Sequence, residues 1–134
     1  MVPRQVAGAL RLGAMLVAAA LVSASVARAH HSISGYDAKQ SVELRGTLRR
    51  AKVANPHTWF EVSVPGESGA VTWTVETGGK AYVLRAIGGV LHDQFDPGQS
   101  VTVIVHPRRD GSPNGLLMQM RFGDGRVLEG IALP

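Results

Sequence analysis

The sequence predicts a mainly β domain: a small five-stranded Greek-key barrel with one short helix between the third and fourth strands. Three observations predict it. Five short stretches alternate apolar and polar residues at period two, the mark of half-buried strands. The pattern breaks at Gly78-Gly79, resumes as about two helical turns, and stops at Gly88-Gly89. The breaks between the stretches carry turn chemistry. Three strands, a helix and two strands is the order of the oligonucleotide/oligosaccharide-binding (OB) barrel. A β-sandwich-like fold is the alternative.

Ser41–Val53 is the first strand, with Val42, Leu44, Gly46 and Leu48 at period two, and Gly46 marks a bend or bulge. Ala54-Asn55-Pro56 is a turn in which the Asn side chain bonds nearby backbone. His57–Val64 follows, with Phe60, Val62 and Val64 on one face and His57, Trp59 and Glu61 on the other. The turn Pro65–Gly69 leads to Val71–Thr77, where Val71, Trp73 and Val75 share a face and Glu76 reads as an outward charge. Lys80–Ile87 is the helix, its apolar positions Tyr82, Val83, Leu84 and Ile87. Asp96-Pro97-Gly98 is a turn before the fourth strand, Ser100–Val105. The loop Pro107–Asn114 leads to the fifth, Gly115–Phe122, where Met118 and Met120 share parity with Leu116 and Phe122 and read as core filling. Asp124-Gly125 marks a turn before a short tail. The expected core includes Val42, Leu44, Leu48, Phe60, Val62, Val75, Val101 and Val103. In a barrel, the loops after strands one and four flank one face, which would bring His57 and His106 towards one region.

The chain has 134 residues, 14 Lys+Arg and 10 Asp+Glu. Residues 1–29 read as a cleavable secretory signal. Met1–Arg11 is basic, Leu12–Val22 is apolar, and Ala27-Arg28-Ala29 is an A-x-A cleavage site. The apolar run is shorter than the roughly 20 residues of a membrane span. Cleavage leaves an arm, residues 30–40, and the β domain, residues 41–134, outside the cytoplasm, in the periplasm or secreted. Arg4, Arg11 and Arg28 go with the signal, so the remaining eleven cations face ten acids and the net charge is +1. The pI of about 10.1 belongs to the uncleaved chain. A nearly neutral domain does not suit nucleic acid, and nothing ties it to a membrane after cleavage. The chain has no cysteine, which excludes disulfides, thiolate metal sites and thiol catalysis.

Ala29-His30-His31-Ser32, Tyr36-Asp37, Asn55-Pro56-His57, Asp96-Pro97-Gly98 and Asp110-Gly111-Ser112 occur in this order. The set resembles a family of small exported bacterial proteins classed as a domain of unknown function. Its members carry His-His-Ser after the signal and Asn-Pro-His before the second strand. Ala54 and Ile33 stand where that family often has aromatics. The resemblance implies export and a β-rich domain, and it brings no reaction and no catalytic residue.

The histidines carry the sharpest expectation. If cleavage follows Ala29, the new α-amine and the His30 imidazole chelate one metal ion, and a third histidine nitrogen completes a T-shaped copper site, a histidine brace. Nitrogen ligands in tetragonal geometry favour Cu(II). The amine, with a free pKa of about 7.7–8.0, gives up its proton readily on metal binding near neutral pH. His31 offers a second chelate, His57 and His106 are candidate third ligands, and His92 is more remote. Trp59, on the face opposite Phe60, could stack a sugar ring; Arg49, Arg50 and Lys52 with Arg108 and Arg109 could form a basic patch, with solvated surface as the default, and Trp59, Arg108 and Arg109 are the ligand-binding candidates. No serine sits in a nucleophile elbow. The function expected first is a non-catalytic periplasmic binding protein for a metal ion, copper in its sharpest form, or for another small ligand. A carbohydrate- or protein-interaction module is the alternative, and a copper-dependent oxidant is third.

Overall fold

The computed structural model describes residues 33–89 and 94–132. Contacts divide the chain into two units, residues 1–34 and 35–134, of which the second is the β domain. Residues 1–29, which the sequence reads as a signal, and His30, His31 and His92 lie outside the described residues.

The elements are β1 (Val42–Lys52), β2 (Thr58–Val64), β3 (Val71–Thr77), helix α1 (Lys80–Ala86), β4 (Ser100–Pro107), β5 (Asn114–Phe122) and β6 (Val127–Glu129). The strand order is β3-β2-β1-β4-β5-β6, and a parallel β3–β5 pairing closes the first five into a barrel. This is the OB arrangement, with α1 between the third and fourth strands.

The closure rests on β1, which serves two neighbours. Its first half, Val42–Thr47, pairs with β4, and its second half, Thr47–Lys52, pairs with β2. A strand that changes partners must coil tightly, and Gly46 sits at the exchange. A Cβ there would lie 2.2 Å from the Ser63 carbonyl oxygen, so only glycine fits. The bulge is three residues further on, between Leu48 and Arg50, and it shifts the inward parity from Leu44 and Leu48 to Ala51.

Inward residues fill the barrel. Leu44, Leu48, Phe60, Val62, Val75, Val101 and Val103 are buried as their periodicity predicts, and Val42 packs half-buried against them. Each buried aliphatic or aromatic side chain contributes about 1.5–3 kcal/mol relative to exposure. Phe95 packs against one end of this core, its ring 5.1 Å from Phe60 and 6.0 Å from Phe122. Trp73 is half-buried against the core, while Val71 at the strand end is exposed.

The structure corrects the sequence reading in two places on this side of the molecule. The tail after Asp124-Gly125 is a sixth strand: β6 pairs with β5, and Leu128 is 1% exposed within the core. Met118 is not core. A register shift opposite Ile104/Val105 sets Leu117 against Val105 and Gln119 against Ile104. The extra residue reverses parity, so Leu117 and Met120 turn inward and Met118 is left at 36% exposure.

Candidate functional site

The site grows from the arm. Tyr36 bridges to Arg108 just past β4, the Asp37 amide donates to the Pro107 carbonyl at 2.8 Å, and the Arg109 amide donates to the Gly35 carbonyl at 2.9 Å. The arm therefore lies antiparallel beside the end of β4, joined by an isolated bridge. Its register buries Tyr36 to 4% exposure.

The Tyr36 hydroxyl meets Glu76. Glu76 lies on β3 in the seam that closes the barrel, between Trp59 on β2 and Leu116 on β5. Its parity is outward, as periodicity predicts, yet it is only 7% exposed, because Tyr36 covers it. The outward-charge reading of Glu76 is thus corrected: the cover comes from 40 residues earlier in the chain. Tyr36 donates a hydrogen bond of 2.7 Å to Glu76 Oε2. Burial, followed by the bond to Glu76 and its charge, pushes the Tyr36 hydroxyl well above its ordinary pKa of 10.

The other oxygen of Glu76 faces His57. Nδ1 of His57 lies 2.9 Å from Oε1, off the line of a well-aligned hydrogen bond. The His57 side chain keeps 16% exposure while Nδ1 itself is buried, so the solvent meets another part of the ring. A carboxylate at Nδ1 draws the proton of a neutral imidazole to that nitrogen and leaves the lone pair on Nε2. Metal-ligating histidines are oriented in this way by an outer carboxylate. Tyr36, Glu76 and His57 form a buried chain that ends in one imidazole at the surface.

The turn before His57 is fixed by α1. The Lys80 amide donates to Asn55 Oδ1 and to the Ala54 carbonyl, both at 3.0 Å. Asn55 thus bonds backbone 25 residues away rather than its own turn, as its sequence context had predicted. The Asn55–Pro56 peptide is cis. A Cβ at Gly79 would lie 2.7 Å from Asn55 Oδ1 and 2.8 Å from the Pro56 carbonyl oxygen, which explains the glycine just before the helix.

Beside His57, Trp59 has its ring centroid 6.0 Å from the imidazole and 5.9 Å from Lys52 Nζ. Trp59, Arg50, Lys52, Glu61 and Thr74 line an open groove of about 380 Å³. Arg108 and Arg109 do not line it; they pair with Asp110 at 3.1 Å and Asp37 at 3.8 Å. His106 lies within β4, where its Nδ1 donates to the Gln40 carbonyl at 2.8 Å, and it lines a different groove. His57 lines neither this groove nor the one at Trp59. Among the described residues, no three His, Asp or Glu side chains converge as a metal cage. A metal held at His57 would take its other ligands from elsewhere.

No curated protein and no solved structure matches the chain. A family model matches residues 17–119, which cover most of the barrel, the whole Tyr36–Glu76–His57 chain and part of the segment before it. The chain belongs to the Family of unknown function (DUF6152).

Proposed function

We propose that this is an exported bacterial protein of the periplasm that binds copper without chemistry of its own. The copper is held by the amine and imidazole of His30 after cleavage at Ala29, with His31 beside it and His57 as the third nitrogen. The observation that carries this reading is the buried Tyr36–Glu76–His57 chain. A buried carboxylate is costly unless it has partners. Here one oxygen accepts from a tyrosine and the other faces an imidazole. An imidazole set against a buried carboxylate, with part of its ring open to solvent, suits a ligand position.

The arm supports the same reading. Tyr36 anchors the arm on the carboxylate that orders His57. His30 is six residues earlier, so the amine lies within roughly 20 Å of Tyr36 along an extended chain. Copper supplies the affinity for nitrogen donors in a tetragonal set. The protein's own part is to hold His57 in one tautomer and to tether the terminus near it.

Cu(II) titration of the cleaved protein under a competing chelator tests this. A protein beginning Met-His30 loses most of its affinity, because the added residue takes the amine out of its chelate ring. Glu76→Gln weakens binding by roughly 10- to 100-fold, the scale of lost outer-shell partners. Equal affinity in the cleaved and Met-extended proteins overturns the reading.

A second reading follows from the groove at Trp59. An indole flanked by Lys52 and Arg50 fits the ring of an anionic sugar, in which case the domain is a carbohydrate-binding module. Tryptophan fluorescence with acidic oligosaccharides distinguishes the two, since Trp59→Ala abolishes sugar binding and spares copper.

A further inference from the structure

On the other side of the β4–β5 ladder lies a groove of about 510 Å³ between the arm and the chain's tail. Ala38 forms one wall and residues 130–132 the other, while His106 and Met118 contribute from the ladder itself. Three features set it apart from ordinary surface. His106 gives its Nδ1 proton to the Gln40 carbonyl at 2.8 Å, so the lone pair stays on Nε2. Met118 is a large apolar residue held outside the barrel by the β5 bulge, while Met120 two residues on is fully buried. The bulge is locked, because the Gly130 amide donates to the Met118 carbonyl at 2.8 Å and a Cβ at Gly130 would lie 1.7 Å from the Leu117 carbonyl oxygen. Bulges recur where a strand must re-aim a side chain.

We infer that this groove is a soft-metal site in which His106 Nε2 and Met118 Sδ take a monovalent thiophilic cation of the Cu(I) or Ag(I) type. Thioether sulfur selects soft monovalent ions, and imidazole nitrogen binds them as well. The Glu129 carboxylate lines the same groove, where it accepts from Gln119 Nε2 at 2.9 Å and adds negative charge for a cation. The site uses neither His57 nor the chain terminus, so it stands or falls apart from the copper(II) reading above.

Of the four methionines, Met1 and Met15 precede the cleavage point, so the mature protein keeps Met118 and Met120 alone. Two methyl resonances then report one groove position and one core position. Titration of the mature protein with Ag(I), followed by the Met ε-methyl signals and by native mass spectrometry, reads the site directly. The Met118 methyl moves with the bound ion while the Met120 methyl stays, and the Met120 signal certifies that each variant is folded. Met118→Leu and His106→Gln each weaken Ag(I) binding at this position by roughly tenfold or more, a loss no smaller than that of outer-shell changes. His57→Ala leaves the Met118 shift unchanged. A Met118 methyl that does not respond, or a Met118→Leu protein that binds Ag(I) as tightly as the wild type, overturns the inference.

Discussion

Tyr36→Phe removes one oxygen atom and leaves the ring packing in place, so it isolates the bond on which the arm and the site depend. The hydroxyl donates at 2.7 Å to Glu76 Oε2, and both residues are below a tenth exposed. Hydrogen bonds to charged groups contribute about 1.5–3 kcal/mol, and a buried acceptor left short of a partner adds to the loss. Glu76 keeps His57 at 2.9 Å, which holds the estimate near the middle of that range, at about 2 kcal/mol. For a domain of this size each kcal/mol moves Tm by roughly 4–8 °C, so the variant melts on the order of 10 °C lower. The pH dependence gives a second signature. The folded pKa of Tyr36 is raised above its unfolded value, so its stabilisation is complete below about pH 10 and is lost as pH rises through the folded value. Urea unfolding of a protein spanning His30–Pro134 and of its Tyr36→Phe variant, at pH 7 and at rising alkaline pH, measures both effects. The wild type loses stability through the alkaline range faster than the variant. A difference below about 0.5 kcal/mol at pH 7, the level of an inert surface change, refutes the claim that Tyr36 secures a buried carboxylate.

Two further outcomes test other parts of the structure. Leu128→Ala costs about 2–5 kcal/mol in chemical denaturation, because Leu128 is 1% exposed in the core; a cost under 0.5 kcal/mol would show that β6 is a dispensable tail. Asp110 accepts from both the hydroxyl and the amide of Ser112, and these bonds hold its carboxyl below the ordinary value of 3.8. This loop contact is therefore present above the unfolded pKa and lost as pH falls through the lower folded one. A carboxyl ¹³C titration of Asp110 with its midpoint at or above 3.8 contradicts that geometry.

Much of the fold was legible because strand burial has period two. All five barrel strands and the helix lie within two residues of their predicted bounds, and Val71–Thr77 matches at both ends. The order of elements was enough to select the closed barrel over a sandwich. What escaped the sequence escaped for physical reasons. Val127–Glu129 is too short to show a period. Met118 obeyed parity in the sequence and lost it to a bulge, which depends on pairing with β4 rather than on local composition. Glu76 was placed correctly on an outward face, but nothing near it in sequence announces the tyrosine that covers it. His57 was legible as a candidate from Asn55-Pro56-His57, whereas its carboxylate partner came only from the pairing of β2 with β3.

The proposed export and the proposed copper binding both depend on cleavage just before His30. Native mass spectrometry of protein recovered from the periplasm of copper-supplemented cells expressing the full precursor reports both in one spectrum. The expected mass is that of His30–Pro134 carrying one copper ion, with the metal lost when the same chain is preceded by methionine. A chain that keeps residues 1–29, or one that begins at His30 and binds no copper, would contradict it.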